Sequence, residues 1–177
     1  SNLYRSLEHY RTSFKSHTEA MWVSKLGLRQ SAPGDDELVA QLVSLLRVVE
    51  TDMTIFFRSL GTIDGLNPLD MAHAYYDEAA LPIDELGLWL GKWWSRVDGD
   101  PDREAMNNAN PKYVLRNWMS QLAIEAAEAD DYSVAIELQD LLRAPYEEQP
   151  SSQDRWYKKR PEWARHKVGC SMLSCSS

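Results

Sequence analysis

Apolar residues recur along most of this chain at steps of three and four, the spacing that places them on one face of an α-helix. The first such stretch runs from about Leu3 to Lys25, with Leu3, Leu7, Tyr10, Phe14, Met21 and Trp22 on one face and Gly27 as its stop. A second begins at Asp35 or Asp36, where a short carboxylate can accept the first free amides. Its Leu38, Val39, Leu42, Val43, Leu45, Leu46, Val48 and Val49 cover so much of the circumference that a central position is expected. A third carries Ile55, Phe56, Phe57 and Leu60 and ends at Gly61. Three later starts pair a capping residue with proline: Asn67-Pro68, Asp100-Pro101 and Asn110-Pro111. Amphipathic helices are expected from Pro82 (Ile83, Leu86, Trp89, Leu90, Trp93, Val97), from Pro111 (Val114, Leu115, Trp118, Leu122, Ile124) and after Asp130-Asp131 (Val134, Ile136, Leu138, Leu141, Leu142). No strand-like alternation persists, and there is no fixed-period repeat.

The pattern predicts an all-α, multi-helix, bundle-like body over 1–143. From 144 to 177 the character changes. Pro145, Pro150 and Pro161 with Ser151-Ser152 predict an extended tail, anchored on the body by Tyr146, Trp156 and Trp163.

Length and composition fit one ordinary domain: 177 residues, 44% hydrophobic and 26% charged. No apolar run approaches the roughly 20 residues needed to cross a bilayer, so no membrane partner is expected. The net charge of -8 makes nucleic acid an unsuitable partner, because phosphate binding needs clustered positive charge. The charge is uneven. Residues 151–177 hold Arg155, Lys158, Lys159, Arg160, Arg165 and Lys167 against Asp154 and Glu162, and the rest of the chain is acidic. Either this basic tail lies on its own acidic body, or it meets an external acidic partner. The cysteines, Cys170 and Cys175, are too few and too close to the C-terminus for a disulfide framework, which favours a reducing compartment. The chain begins Ser1-Asn2 without an initiator Met, so it is treated as a fragment, with Ser1-Asn2 consistent with a tag scar.

The residues do not assemble into a recognisable active site. His9 and His17 are about 12 Å apart along one helix, too far to share a metal. The acidic pairs Asp35-Asp36, Asp77-Glu78, Asp130-Asp131 and Glu147-Glu148 fall at helix starts or loops, where capping explains them. There is no phosphate-binding glycine motif and no nucleophile elbow. Trp89, Trp93 and Trp94 read as core, with a docking surface as the alternative. The most distinctive run is Asn110-Pro111-Lys112-Tyr113-Val114-Leu115-Arg116-Asn117-Trp118. In it Asn110 is expected to cap a helix that Pro111 opens, and Arg116, among apolar neighbours, to pair with a carboxylate.

That run resembles the Asn-Pro-Lys-Tyr-x-Leu-Arg-Asn-Trp/Tyr motif in the C-terminal part of the selenoprotein O (SelO, bacterial YdiU) family. Other stretches are similar to family motifs in the same order: Lys25-Leu26-Gly27-Leu28, Phe56-Phe57-Arg58-Ser59-Leu60, Ala123-Ile124-Glu125-Ala126-Ala127-Glu128, Leu142-Arg143-Ala144-Pro145-Tyr146, Arg160-Pro161-Glu162-Trp163 and the terminal Ser174-Cys175-Ser176-Ser177. The resemblance implies a kinase-like (pseudokinase-like) protein adenylyltransferase that moves AMP from ATP to Ser, Thr or Tyr hydroxyls of proteins, using Mg²⁺ or Mn²⁺. It implies that ATP, metal and catalytic base are held upstream, so no catalytic, cofactor-binding or metal residue is assigned here. The partners it implies are that missing catalytic part and the parent's protein substrates. The compartment it implies is the cytoplasm in a bacterium or the mitochondrion in a eukaryote. Cys175 sits where selenoprotein members carry selenocysteine, which implies a redox role, with a disulfide to an upstream cysteine as one form. Cys170 departs from the usual ending, and a Cys170–Cys175 disulfide or two free thiols both remain open. The competing reading is a stand-alone helical interaction module without enzymatic role.

Overall fold

The computed structural model describes residues 2–170, and most of these are helical. In chain order the α-helices are α1 (Asn2–Lys25), α2 (Asp35–Val48), α3 (Met53–Leu60), α4 (Ile83–Arg96), α5 (Arg103–Ala109), α6 (Asn117–Glu128), α7 (Ser133–Arg143) and α8 (Pro150–Trp156). Short 3-10 helices cover Pro68–Ala74, Glu78–Ala80 and Glu162–Arg165. Among the described residues there is no strand, and extended pairing is limited to an antiparallel bridge between Thr51 and Tyr75. The fold is all-α.

The chain divides into two compact units, residues 1–110 and 111–177. The tail departs from a fully extended form at one place, because residues 150–156 are helical. Pro150 occupies the first turn of α8, where its missing N–H costs nothing, so the proline opens a helix instead of preventing one.

In the first unit the core is built by α2, α3, α4 and the Pro68–Ala74 helix. Leu42, Phe56, Leu60, Met71, Tyr75, Leu86, Leu90 and Trp93 are fully or almost fully buried. Trp89 and Trp93, one turn apart on α4, stack with ring centroids 6.2 Å apart and planes 5° from parallel. Each indole N–H is satisfied: Trp89 donates to the Leu38 carbonyl at 2.9 Å and Trp93 to the Leu26 carbonyl at 2.8 Å. These tryptophans are core, not a docking surface. Helix α2 is less enclosed than its pattern suggested. Leu38, Leu42, Leu45 and Leu46 are buried, whereas Val48 is exposed.

Local caps follow the sequence rules only in part. At α2 the N-cap is Gly34 without a side-chain bond, and Asp35 instead accepts from Ala32 N–H at 2.8 Å and from Arg96 at 2.7 Å. Asp52 caps α3 by accepting from the Ile55 N–H at 3.1 Å, and Asn67 accepts from Leu69 N–H at 3.2 Å. At α5 the cap is Asp102, not Asp100, accepting from Ala105 N–H at 2.9 Å. The Asp102 N–H is itself bound to the Gly27 carbonyl at 2.9 Å, which fixes where the helix can begin. Asp100 instead accepts from Arg29 at 2.5 Å.

The second unit is an α6–α7 hairpin overlaid by residues 144–170. Its core holds Tyr113, Trp118, Met119, Leu138, Leu141, Trp156, Ala164 and Cys170. Trp118 and Trp156 stack at 5.8 Å. The basic segment meets acidic partners within this unit. Arg155 donates to Glu137 of α7 at 2.5 Å, the Trp156 indole donates to the same carboxylate at 2.7 Å, and Lys167 pairs with Glu125 of α6.

Helix α1 behaves differently from the rest. The apolar face read from the sequence exists, but Leu3 (67% exposed), Leu7 (49%), Tyr10 (64%) and Phe14 (61%) lie in solvent. Burial begins only near the C-terminal end, where Trp22 packs 6.1 Å from Phe57 and Leu26 is fully enclosed.

Candidate functional site

In the first unit, three separate sequence motifs converge on one polar cluster. Lys25 ends α1, Arg58 lies in α3, and Asn110 closes α5. The Lys25 ammonium donates to the Asn110 side-chain oxygen at 2.7 Å, and the Asn110 amide returns a bond to the Lys25 carbonyl at 3.0 Å. Asn110 is 2% exposed, so its amide has both ends committed inside the fold. Lys25 also lies 4.2 Å above the Phe57 ring, a cation–π contact. Burial lowers the pKa of this ammonium, because desolvation penalises its charged form. The buried Arg58 donates to the carbonyls of Asn107 and Asn110, each at 3.3 Å, and so ties down the end of α5.

The turn after α1 is equally constrained. Gly27 has φ +65, and a Cβ there would stand 2.7 Å from the Met106 sulfur and 3.0 Å from the Asp102 backbone nitrogen. Only glycine satisfies both the backbone conformation and the close approach. The cluster is a clamp between helix ends. The Lys25 ammonium, the Asn110 amide and the Arg58 guanidinium all have partners within it.

The remainder of the distinctive run lies in the second unit and is not helical at its start. Asn110 does not cap a helix opened by Pro111; it ends α5, and α6 begins at Asn117. The reason is tertiary. The N–H groups of Lys112 and Tyr113 both donate to the Pro145 carbonyl, at 2.8 and 3.0 Å, and hold residues 111–115 out of helical geometry. Pro111 is half-buried there. The Lys112 side chain is only 6% exposed, pairs with Glu148, donates to Gln153 at 2.9 Å and lies 4.9 Å over Tyr157. Tyr113 donates to the Gln149 carbonyl at 3.1 Å. Arg116 takes the N-cap position of α6, and its carbonyl accepts from Met119 N–H at 2.9 Å. Asn117, the first residue of α6, donates to the Cys170 carbonyl at 3.4 Å.

Of the two sulfur positions, Cys175 lies outside the described residues. Cys170 carries a free thiol and is 7% exposed, packed in the core of the second unit. A buried thiol in apolar surroundings behaves as a small hydrophobe and is poorly reactive.

Scattered histidines are locally engaged: His17 donates from Nδ1 to the Ser13 carbonyl at 2.6 Å, and His73 Nε2 lies 2.8 Å from the Ser59 hydroxyl. Among the described residues no three His, Cys, Asp or Glu side chains stand close enough to share a metal ion. No helix among them is long and apolar enough to cross a membrane. Glu125 is one of the acids whose surroundings perturb it. Hydrogen bonds from Lys167 and Gln121 hold its carboxyl below the ordinary glutamate value. Its contribution is therefore present above that ordinary value and lost as pH falls through the depressed one. Carboxyl-resolved NMR titration is expected to show Glu125 titrating below a free glutamate, and Lys167→Ala to move it back up. An unchanged midpoint in that variant would refute the pairing.

A model of the family described as protein adenylyltransferase SelO matches residues 1–143. The chain is 43% identical to the protein nucleotidyltransferase YdiU of Flavobacterium johnsoniae, with 99% of this chain and 36% of that protein covered. It is 42% identical to the protein of the same name from Rhodopirellula baltica, over 99% of this chain and 37% of that one. The figures for the Aromatoleum aromaticum protein of that name are 41%, 99% and 35%. The chain thus spans little more than a third of the length of these relatives. The motifs that meet at Lys25, Arg58 and Asn110, together with these matches along the chain, place it in the SelO family of protein adenylyltransferases, to which it belongs.

Proposed function

We propose that this chain is the C-terminal helical region of a protein nucleotidyltransferase that transfers AMP from ATP to Ser, Thr or Tyr hydroxyls of proteins. The observation that carries the reading is the coverage: 99% of this chain aligns with only 35–37% of each of these relatives. ATP and a divalent Mg or Mn ion belong to the remainder of the longer protein in this reading. The present residues are supporting structure, catalytically inert alone. The paired state of Lys25, Arg58, Asn110 and Lys112 suits that role, because each side chain is spent on holding an element in place.

Cys175 is the redox-active position in this proposal, and Cys170 is a packing residue. In this reading Cys175 pairs with a cysteine in the remainder of the longer protein: the two thiols give up two protons and two electrons to oxidised glutathione, which leaves as two molecules of reduced glutathione. The parent acts in the cytoplasm of a bacterium or the mitochondrion of a eukaryote, on protein substrates.

The test compares two proteins: these 177 residues, and the product of the complete reading frame. Each is incubated with ATP labelled in its α-phosphate, Mg²⁺ or Mn²⁺ and a generic protein acceptor. Label is expected on protein only with the longer product. Transfer by the 177-residue chain, or none by an active-folded longer product, overturns the proposal.

A further inference from the structure

The N-terminal half of α1 is an unusual object. Every residue from Leu3 to Thr12 is exposed, so three turns of helix stand without tertiary support. Isolated helices shorter than roughly 12–15 residues are marginal in water, and their stability in proteins comes from packing an apolar face. The apolar face is present and regular. Leu3, Leu7, Tyr10, Phe14 and Met21 follow alternating steps of four and three, with His17 completing the series. A regular alternation of four and three, averaging 3.5 residues, is the spacing of a seam that can run along another helix. From Leu3 to Met21 the seam is about 27 Å long at 1.5 Å per residue. One flank is small (Ser6, Ser13, Ala20), which lets a neighbouring backbone approach closely.

We propose that this seam is one half of a two-helix contact, and that the other half is a helix in the part of the longer polypeptide outside this chain. The proposal rests on the reading of the chain as a portion of a longer transferase. Two observations choose that occupant over a second copy. The relatives are nearly three times as long as this chain, so most of a protein of that length lies outside it. Charge is the other. From Leu3 to Met21 the helix carries Arg5, Arg11 and Lys15 against Glu8 and Glu19, with Lys15 paired to Glu19, so the span is net positive in every copy and a second α1 would meet like charge. Arg11, beside the seam, calls for a carboxylate on the partner helix.

Hydrogen exchange read by mass spectrometry on peptides covering residues 3–16 tests this. In the 177-residue chain these amides are expected to exchange rapidly at every protein concentration. In the product of the complete reading frame they are expected to exchange at least tenfold more slowly. Leu7→Glu and Phe14→Glu should leave the Tm of the 177-residue chain unchanged, yet restore fast exchange in the longer protein. Fast exchange in the unaltered longer protein overturns the inference and leaves the transferase reading standing. Protection that grows with concentration in the 177-residue chain assigns the seam to a second copy and also overturns it. A reading frame with nothing upstream overturns both.

Discussion

Trp93→Ala is expected to destabilise the first unit by about 3–5 kcal/mol, the range for truncating a fully buried large aromatic. Trp93 is completely enclosed, stacks on Trp89 and tilts against Trp94, with ring centroids 6.2 and 5.8 Å away. Its indole N–H is the partner of the Leu26 carbonyl, in the turn that carries Gly27. Alanine therefore opens a cavity and strands a buried acceptor next to the most constrained turn in the chain. Trp93→Phe separates the two effects. It retains most of the volume and removes the donor with a smaller void, for about 1–3 kcal/mol. Trp163, 44% exposed, supplies the control, and its alanine variant should stay within about 1 kcal/mol of the parent. Urea unfolding followed by tryptophan fluorescence measures all three. If Trp93→Ala and Trp163→Ala cost the same, the packing of α4 described above is wrong.

The contrast between these tryptophans shows what the sequence makes legible. Spacing along α4 identified Ile83, Leu86, Trp89, Leu90, Trp93 and Val97 as one face, and all are buried except Ile83, which is 49% exposed at the start of the helix. Periodicity works there because the helix is short, strongly amphipathic and central. The same spacing on α1 identified the face but not its exposure, since a period reports which residues point together and says nothing of what covers them.

Capping signals were legible when the competing bonds were local. Asn67 caps as its position predicts. Asn110-Pro111 has the same local form and fails, because the Pro145 carbonyl, more than thirty residues on, takes the amides that a helix would have used. Prolines in the tail suggested extended chain, yet Pro150 opens α8. The rule that places proline at the first turn of a helix applied there too; short length and weak periodicity hid the helix. The clamp at Lys25, Arg58 and Asn110 could not be derived from spacing at all. It joins residues up to 85 positions apart, and its signal in the sequence was indirect: three motifs of the family lay where the fold brings them together.

Asn110 is where that convergence is most exposed to test. Asn110→Leu is expected to cost about 2–4 kcal/mol, although leucine is close in size and apolar. The side-chain amide serves two partners at once, accepting from the Lys25 ammonium and donating to the Lys25 carbonyl. Removing it leaves a charged donor and a backbone acceptor without these bonds in a site where burial already disfavours the ammonium. Hydrogen bonds to charged groups are worth roughly 1.5–3 kcal/mol, and a stranded buried acceptor adds about 1 kcal/mol or more. A double variant distinguishes lost packing from lost pairing. Lys25→Met removes the charge that needs Asn110, so Lys25→Met with Asn110→Leu should be less destabilised than the sum of the single changes by about 1–2 kcal/mol. Strict additivity would mean that the two side chains do not support each other, and the clamp would then be a coincidence of packing. Coupling would show that the end of α1 and the end of α5 are held by one amide.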